Sequence, residues 1–81
     1  MITLIKYDNR KLYSKELSTY VNGDYIAVQL ATNKKLKVIS HKDGTDVTHT
    51  ALVFTGASMI KAGNVEGGRL LVRYADGYRA F

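Results

Sequence analysis

The chain has 81 residues, 46% of them hydrophobic and 23% charged, and its 12 Lys and Arg against 7 Asp and Glu give a formal net charge of +5. That length makes one small domain with a modest core, and that composition excludes a disordered chain. The absence of cysteine excludes disulfide staples and thiolate metal sites and suits a reducing cytoplasm, no apolar run is long enough to span a bilayer, and no signal-peptide pattern opens the chain.

Residues 1–7 alternate weakly and are rich in β-branched side chains (Ile2, Thr3, Ile5), which predicts a first strand. Asp8 and Asn9 are good turn residues, because both side chains bond to nearby backbone and both tolerate left-handed geometry. Leu12 and Tyr13 begin the return strand, and residues 18–21 form a further extended piece. Across residues 5–21, Lys6, Arg10, Lys11 and Lys15 are interleaved with Tyr7, Tyr13 and Tyr20. Cations between aromatic rings can hold a phosphate backbone and offer flat surfaces to bases. The plainer alternative is a hairpin with cross-strand tyrosine packing and solvated lysines. Asn9 is first a turn former and second a backbone or base contact. Arg10, beside the turn apex, is the best single candidate for a phosphate or base-edge contact.

Residues 22–33 carry two conflicting signals. Asn22-Gly23 is a strong hairpin dipeptide, and Ile26, Val28 and Leu30 alternate as a strand does. Asp24 near a helix start, Ile26 and Leu30 at i,i+4, and Ala27 and Ala31 equally permit a short amphipathic helix ending at Asn33. Residues 36–39 read as a strand, and residues 42–45 as a turn in which Gly44 supplies a positive φ. Lys34, Lys35, Lys37 and Lys42 either form a second basic patch or keep a sheet edge soluble. Asp46 or Thr48 N-caps a helix over residues 50–62, closed by Gly63, with Leu52, Val53, Ala57, Met59 and Ile60 toward the core and Gly56 as a weak point.

Residues 64–68 read as a polar, glycine-rich link. Leu70, Val72 and Tyr74 then alternate with Arg69, Leu71 and Arg73, and Asp76-Gly77 turns the chain into residues 78–81, which predicts a C-terminal β-hairpin. Its arginines, Arg69, Arg73 and Arg79, with Tyr74 or Tyr78, extend the basic surface or line an oligomer interface. No catalytic constellation emerges. His41 and His49 have no third ligand for a metal, Ser18, Ser40 and Ser58 lack a nucleophile-elbow context, and no glycine cluster forms a phosphate loop. The expectation is therefore a protein that is not an enzyme and takes no cofactor.

The run Lys6-Tyr7-x-Asn9-Arg10-x-Leu12-Tyr13, followed by Ser18-x-Tyr20-Val21, resembles the N-terminal domain of the polyhydroxyalkanoate synthesis repressors. A later box, Asp43-Gly44-Thr45-Asp46-Val47-Thr48, is similar to that family's T-G-x-D-[IV]-T element and stands at the family's spacing. Two boxes in register over residues 5–53 are more specific than one short motif. The resemblance implies the DNA-binding domain of a bacterial-type transcriptional repressor, and it favours the helix over residues 24–32. Three departures accompany it. Asn22-Gly23-Asp24-Tyr25-Ile26 stands where the family has T-L-x-D-I, so Tyr25 occupies the acidic position. Asn33 replaces a helix-ending glycine. The resemblance also stops short of the C-terminal region through which family repressors act in polymer and phasin control, so it implies DNA binding and not polymer sensing.

The expected molecule is thus a single α+β domain over residues 1–81, with antiparallel hairpins, one or two short helices and a C-terminal hairpin within residues 64–81. It is expected to be a cytoplasmic homo-oligomer that binds double-stranded DNA, with RNA as a further possibility, through Lys6, Tyr7, Asn9, Arg10, Lys11, Tyr13, Lys15 and Tyr20. The rival is a small protein-interaction module, such as a phage or mobile-element inhibitor that binds a host protein.

Overall fold

In the computed structural model, residues 1–9 and 11–78 are described. Arg10, and Arg79, Ala80 and Phe81 of the expected C-terminal strand, lie outside the described residues. The order of elements is β1 (Ile2–Lys6), β2 (Leu12–Ser14), β3 (Thr19–Val21), α1 (Gly23–Ala31), β4 (Leu36–Ser40), α2 (Thr48–Lys61) and α3 (Val65–Gly77). The fold is α+β in one domain, with a four-stranded sheet in the order β3-β2-β1-β4. β1 pairs antiparallel with β2 and β2 with β3, as two hairpins, but β4 pairs parallel with β1, so the sheet is mixed. Parallel pairing needs a crossover, and α1 supplies it.

Each hairpin is closed by a side chain, the first by Asn9, which the sequence marks as a turn former, and the second by Ser14, which it does not. Asn9 Oδ1 accepts from Lys11 N at 3.0 Å, and Ser14 Oγ accepts from Leu17 N at 3.1 Å. Asn22 is a helix N-cap, not a hairpin residue: its Oδ1 accepts from Tyr25 N at 3.0 Å, one of the orphan donors of the first turn. Ile26 is fully buried while Val28 is 58% exposed, which breaks the strand-like alternation and leaves the i,i+4 pattern in charge. Past the helix, Asn33 sits at φ 62° and plays the part of the missing glycine.

Between β4 and α2 the later box builds a buried joint. Gly44 turns the chain at φ 73°, with Ser40 N donating to Thr45 O at 2.8 Å. Thr48 is fully buried; its Oγ1 accepts from Val38 N at 2.8 Å and donates to Asp46 Oδ1 at 2.6 Å. Asp46 Oδ1 also accepts from Thr48 N, so it serves the helix start from one residue before the cap position, which Val47 occupies. The helix begins at Thr48, two residues ahead of the expected start. Its core face is Ala51, Leu52, Gly56 and Met59, with Val53 half-buried, whereas Ala57 and Ile60 are exposed.

Residues Val65–Gly77 of the expected C-terminal hairpin are a helix, so the described residues form three helices and not one or two. Gly67, Gly68, Leu71 and Ala75 bury one face of α3, Leu70 and Tyr74 flank it, and Arg69 and Arg73 are exposed. This is a 3.6-residue period that a two-residue alternation of Leu70, Val72 and Tyr74 mimics. Asn64 caps it by accepting from Gly67 N. Gly67 and Gly68, read from sequence as a link, are helical because α2 passes so near: a Cβ on Gly68 would meet Gly56 O at 2.5 Å, and one on Gly56 would meet Gly68 O at 2.8 Å. Tyr74 and Tyr78 do not join a basic surface. Tyr74 Oη donates to Leu36 O and accepts from Leu36 N, and Tyr78 Oη donates to Asp46 Oδ2.

Two expectations for stability follow from these joints. Gly68→Ala forces backbone apart at the α2–α3 crossing and costs about 1–3 kcal/mol, while Gly77→Ala, where an added Cβ meets nothing within 4 Å, is neutral or slightly stabilising; thermal melts of both variants check the contrast. Partial desolvation tends to raise the Asp46 pKa, but hydrogen bonds from Thr48 and Tyr78 and the charge of Lys37 prevail and hold it below 3.8. A lowered carboxylate pKa stabilises the fold above the unfolded value, and that contribution disappears as pH falls through the folded one. Acid titration should therefore show stability declining below about pH 4, with a smaller decline in Asp46→Asn.

Candidate nucleic-acid interface

Strand alternation divides the basic and aromatic stretch between two faces of the sheet. Leu4, Leu12, Leu36 and Val38 point toward the helices and are buried with Ile26, Leu52 and Leu71. Their strand neighbours point the other way, and among the described residues no helix packs over them. The register then lays Tyr20, Tyr13, Ile5 and Ile39 in one row across the open face, since Tyr13 opposes Tyr20, Ile5 opposes Tyr13, and Ile39 opposes Ile5. Tyr7 and Lys11 stand one step along, at the end where the first hairpin closes.

Three tyrosines converge there. Ring centroids lie 5.5 Å apart for Tyr13 and Tyr20, 6.1 Å for Tyr7 and Tyr13, and 6.3 Å for Tyr7 and Tyr20, all in edge-to-face geometry, which suits the ring quadrupole. Lys11 Nζ lies 5.5 Å from the Tyr20 ring centroid, within cation–π range. Tyr20, on the edge strand, is 48% exposed.

The other expected residues scatter. Lys6 opposes Leu12 and so points to the helix side, where it borders a shallow depression with Thr50, Ala51 and Phe54 of α2. Lys15 is exposed in the turn at the far end of β2, roughly 13 Å from Lys11 at the rise of an extended chain. Asn9 is exposed and committed by its side chain to the turn. The second set of lysines does not form one patch either. Lys34 and Lys35 precede β4 beside Met1 and Ile2, whereas Lys42, at the other end, pairs with Asp8 at 3.7 Å.

Two residues of β4 and its extension join the site without having been expected there. His41 continues the strand, its N–H donating to Lys6 O at 2.9 Å, and its ring lies 4.4 Å from that of Tyr7 at an interplanar angle of 34°. Lys37, opposite Thr3, brings a further cation to the open face. The signal was the period-2 set Lys37, Ile39, His41; it became readable only once β4 was known to lie parallel to β1. His49 is remote from this site and faces Asp76 at 3.7 Å. Among the described residues no group of three or more His, Asp or Glu side chains is placed to hold a metal ion, and no helix is long and apolar enough to cross a membrane.

A family model of the PHB/PHA accumulation regulator DNA-binding domain matches residues 3–61. No curated protein and no solved structure matches the chain. The matched segment contains all four strands except Ile2, the first residue of β1.

The His41–Tyr7 stack has a direct spectroscopic consequence. The His41 ring protons should resonate upfield of their free positions because of the Tyr7 ring current, and should return toward free values in Tyr7→Leu. Unshifted His41 protons in the parent protein would refute the packing.

Proposed function

The chain belongs to the PHB/PHA accumulation regulator DNA-binding domain family, and on that premise we propose that it is a repressor-type transcriptional regulator that contacts the phosphates of duplex DNA through its first hairpin. The family supports a DNA-binding regulator. The observation that carries the finer reading is Lys11 poised over Tyr20 at the closed end of the β1–β2 hairpin, beside Tyr7 and Tyr13.

A groove presents phosphates on both flanks, and the hairpin offers a cation to each: Lys6 on the helix side of the sheet and Lys11 on the open side. Asn9, at the loop, and Arg10, next to it in sequence, are proposed to meet base edges or the nearer backbone. Lys15 reaches a more distant phosphate. Tyr7, Tyr13 and Tyr20 hold Lys11 in place and supply flat, partly wet surfaces. We further propose that the protein works in the cytoplasm as a homo-oligomer, as a domain this small benefits from self-association.

Fluorescence anisotropy with labelled duplex DNA in a salt series tests this. Log affinity should fall with log salt at a slope near −0.9 per phosphate neutralised. Arg10→Ala/Lys11→Ala should make the slope shallower by about 1.8, while Lys61→Ala, at the end of α2, should leave it unchanged. A slope indistinguishable from zero in the parent protein refutes the reading.

A further inference from the structure

We propose that the open sheet face is a second, distinct contact surface, which takes an unpaired, single-stranded stretch of DNA by stacking bases on Tyr20 and on the Tyr7–His41 pair. This rests on the nucleic-acid reading above but not on its duplex contacts. The first observation is the composition of the face: Tyr7, Tyr13, Tyr20 and His41 gathered toward the end where the first hairpin closes, with Lys11 beside them and Lys37 on the same face two steps back along β4. Aromatic rings at the level of a sheet surface, next to cations, provide the two things a single strand offers partners for, π-faces and phosphates.

Width decides between duplex and single strand. Four strands span three inter-strand spacings of about 4.8 Å, roughly 14 Å between outer backbones before side chains are added. The major groove is only about 12 Å wide. A two-stranded ribbon or a hairpin loop enters it; the whole face does not. Bases stacked inside a duplex, moreover, cannot present their π-faces to Tyr20. An unstacked strand can cross the sheet, with a base against the 48%-exposed Tyr20 ring and the next against Tyr7 or His41, while its phosphates run past Lys11 and Lys37. Charge complementarity favours the same occupant. Of the two acidic side chains nearest this end, Asp8 is paired with Lys42 and Asp43 accepts from Thr45, which turns both toward the loops.

Three of the protein's six tyrosines, Tyr7, Tyr13 and Tyr20, lie on this face and the chain has no tryptophan, so partial quenching of intrinsic tyrosine fluorescence reports on it. Titration with a 15-mer of deoxythymidine should quench it in parallel with anisotropy-detected binding. Tyr20→Ala should weaken oligothymidine binding on the order of tenfold, whereas Tyr20→Phe, which keeps the ring, should bind like the parent; His41→Ala, at a residue outside the proposed duplex contacts, should weaken oligothymidine binding several-fold and leave duplex affinity within about twofold. Tyr20 lies on the edge strand and outside the core, and circular dichroism confirms that each variant is folded. Duplex binding with no oligothymidine binding, or a Tyr20→Ala variant that binds oligothymidine as the parent does, overturns this proposal and leaves the duplex reading intact. Oligothymidine binding without duplex binding supports the proposal and removes the duplex reading. Equal or tighter binding of a uridine 15-mer overturns the assignment to DNA.

Discussion

Parallel pairing between β1 and β4 sets the terms for everything else in this domain. The two hairpins β1–β2 and β2–β3 are local, and alone they would make a three-stranded sheet with little to bury. Bringing β4 to the free side of β1 takes the chain across the sheet through α1 and places Leu36 and Val38 beside Leu4. That continuous apolar floor is what α1, α2 and α3 cover. Because all three helices settle on the same side, the other side of the sheet is open among the described residues, and its residues are chosen by parity alone. Tyr7 and His41 become neighbours for this reason, although they are far apart in the chain.

The helical layer depends in turn on a backbone contact. Gly56 and Gly68 let α2 and α3 meet without intervening side chains, and α3 then delivers Leu71 and Ala75 to the core. The family match ends at the last residue of α2, yet this core is incomplete without α3. The helix is also fastened to the matched part by hydrogen bonds, from Tyr74 to both backbone groups of Leu36 and from Tyr78 to the carboxylate that caps α2. The later sequence box therefore has a structural explanation of its own: Asp46 and Thr48 join β4, α2 and α3. A buried Thr48 that bonds Val38 satisfies a backbone donor that would otherwise cost on the order of 1–3 kcal/mol.

The two hairpins were legible because their signals are local. Asn9 and Gly44 mark turns through chemistry that acts over two or three residues, and Gly44 does adopt a positive φ, whereas Ser18, read as the start of an extended piece, is also left-handed. Asn22-Gly23 misleads on its own, because the same asparagine that forms a tight turn also caps a helix; which role it takes depends on whether residues 26–30 bury one helical face or one strand face. Family resemblance resolved that conflict where propensity could not. Nothing resolved the C-terminal segment. There a period-2 pattern and a 3.6-residue pattern share Leu70 and Tyr74, and the deciding fact is the proximity of α2 at Gly56, a contact between distant positions. The site divides in the same way. The three tyrosines share a face because the two antiparallel pairings put Tyr13 opposite Tyr20 and bring Tyr7 alongside, which local reading reaches. Lys6 falls on the other face of its strand by the same alternation, and Lys37 and His41 enter only through the non-local pairing of β4.

An open sheet ordinarily invites two kinds of partner, another strand at its edges or a ligand on its face, and the edges here are guarded. On the outer edge of β4, Tyr74 occupies both Leu36 backbone groups, and Ile39 forms a bridge to Asp46. At the opposite edge β3 is only three residues long, too short to template a stable addition, which is how natural sheets commonly blunt an edge. Among the described residues the face has no such cover. The tyrosines pack edge-to-face on one another with Tyr7 and Tyr13 half-buried and Tyr20 exposed, so the cluster is held together without being enclosed. Lys11 and Lys37 keep the same surface charged, which discourages a second copy of the sheet from stacking on it and favours an anion. Strand addition at the edges is thus restrained while the face remains accessible, and the chemistry left accessible is flat rings beside positive charge.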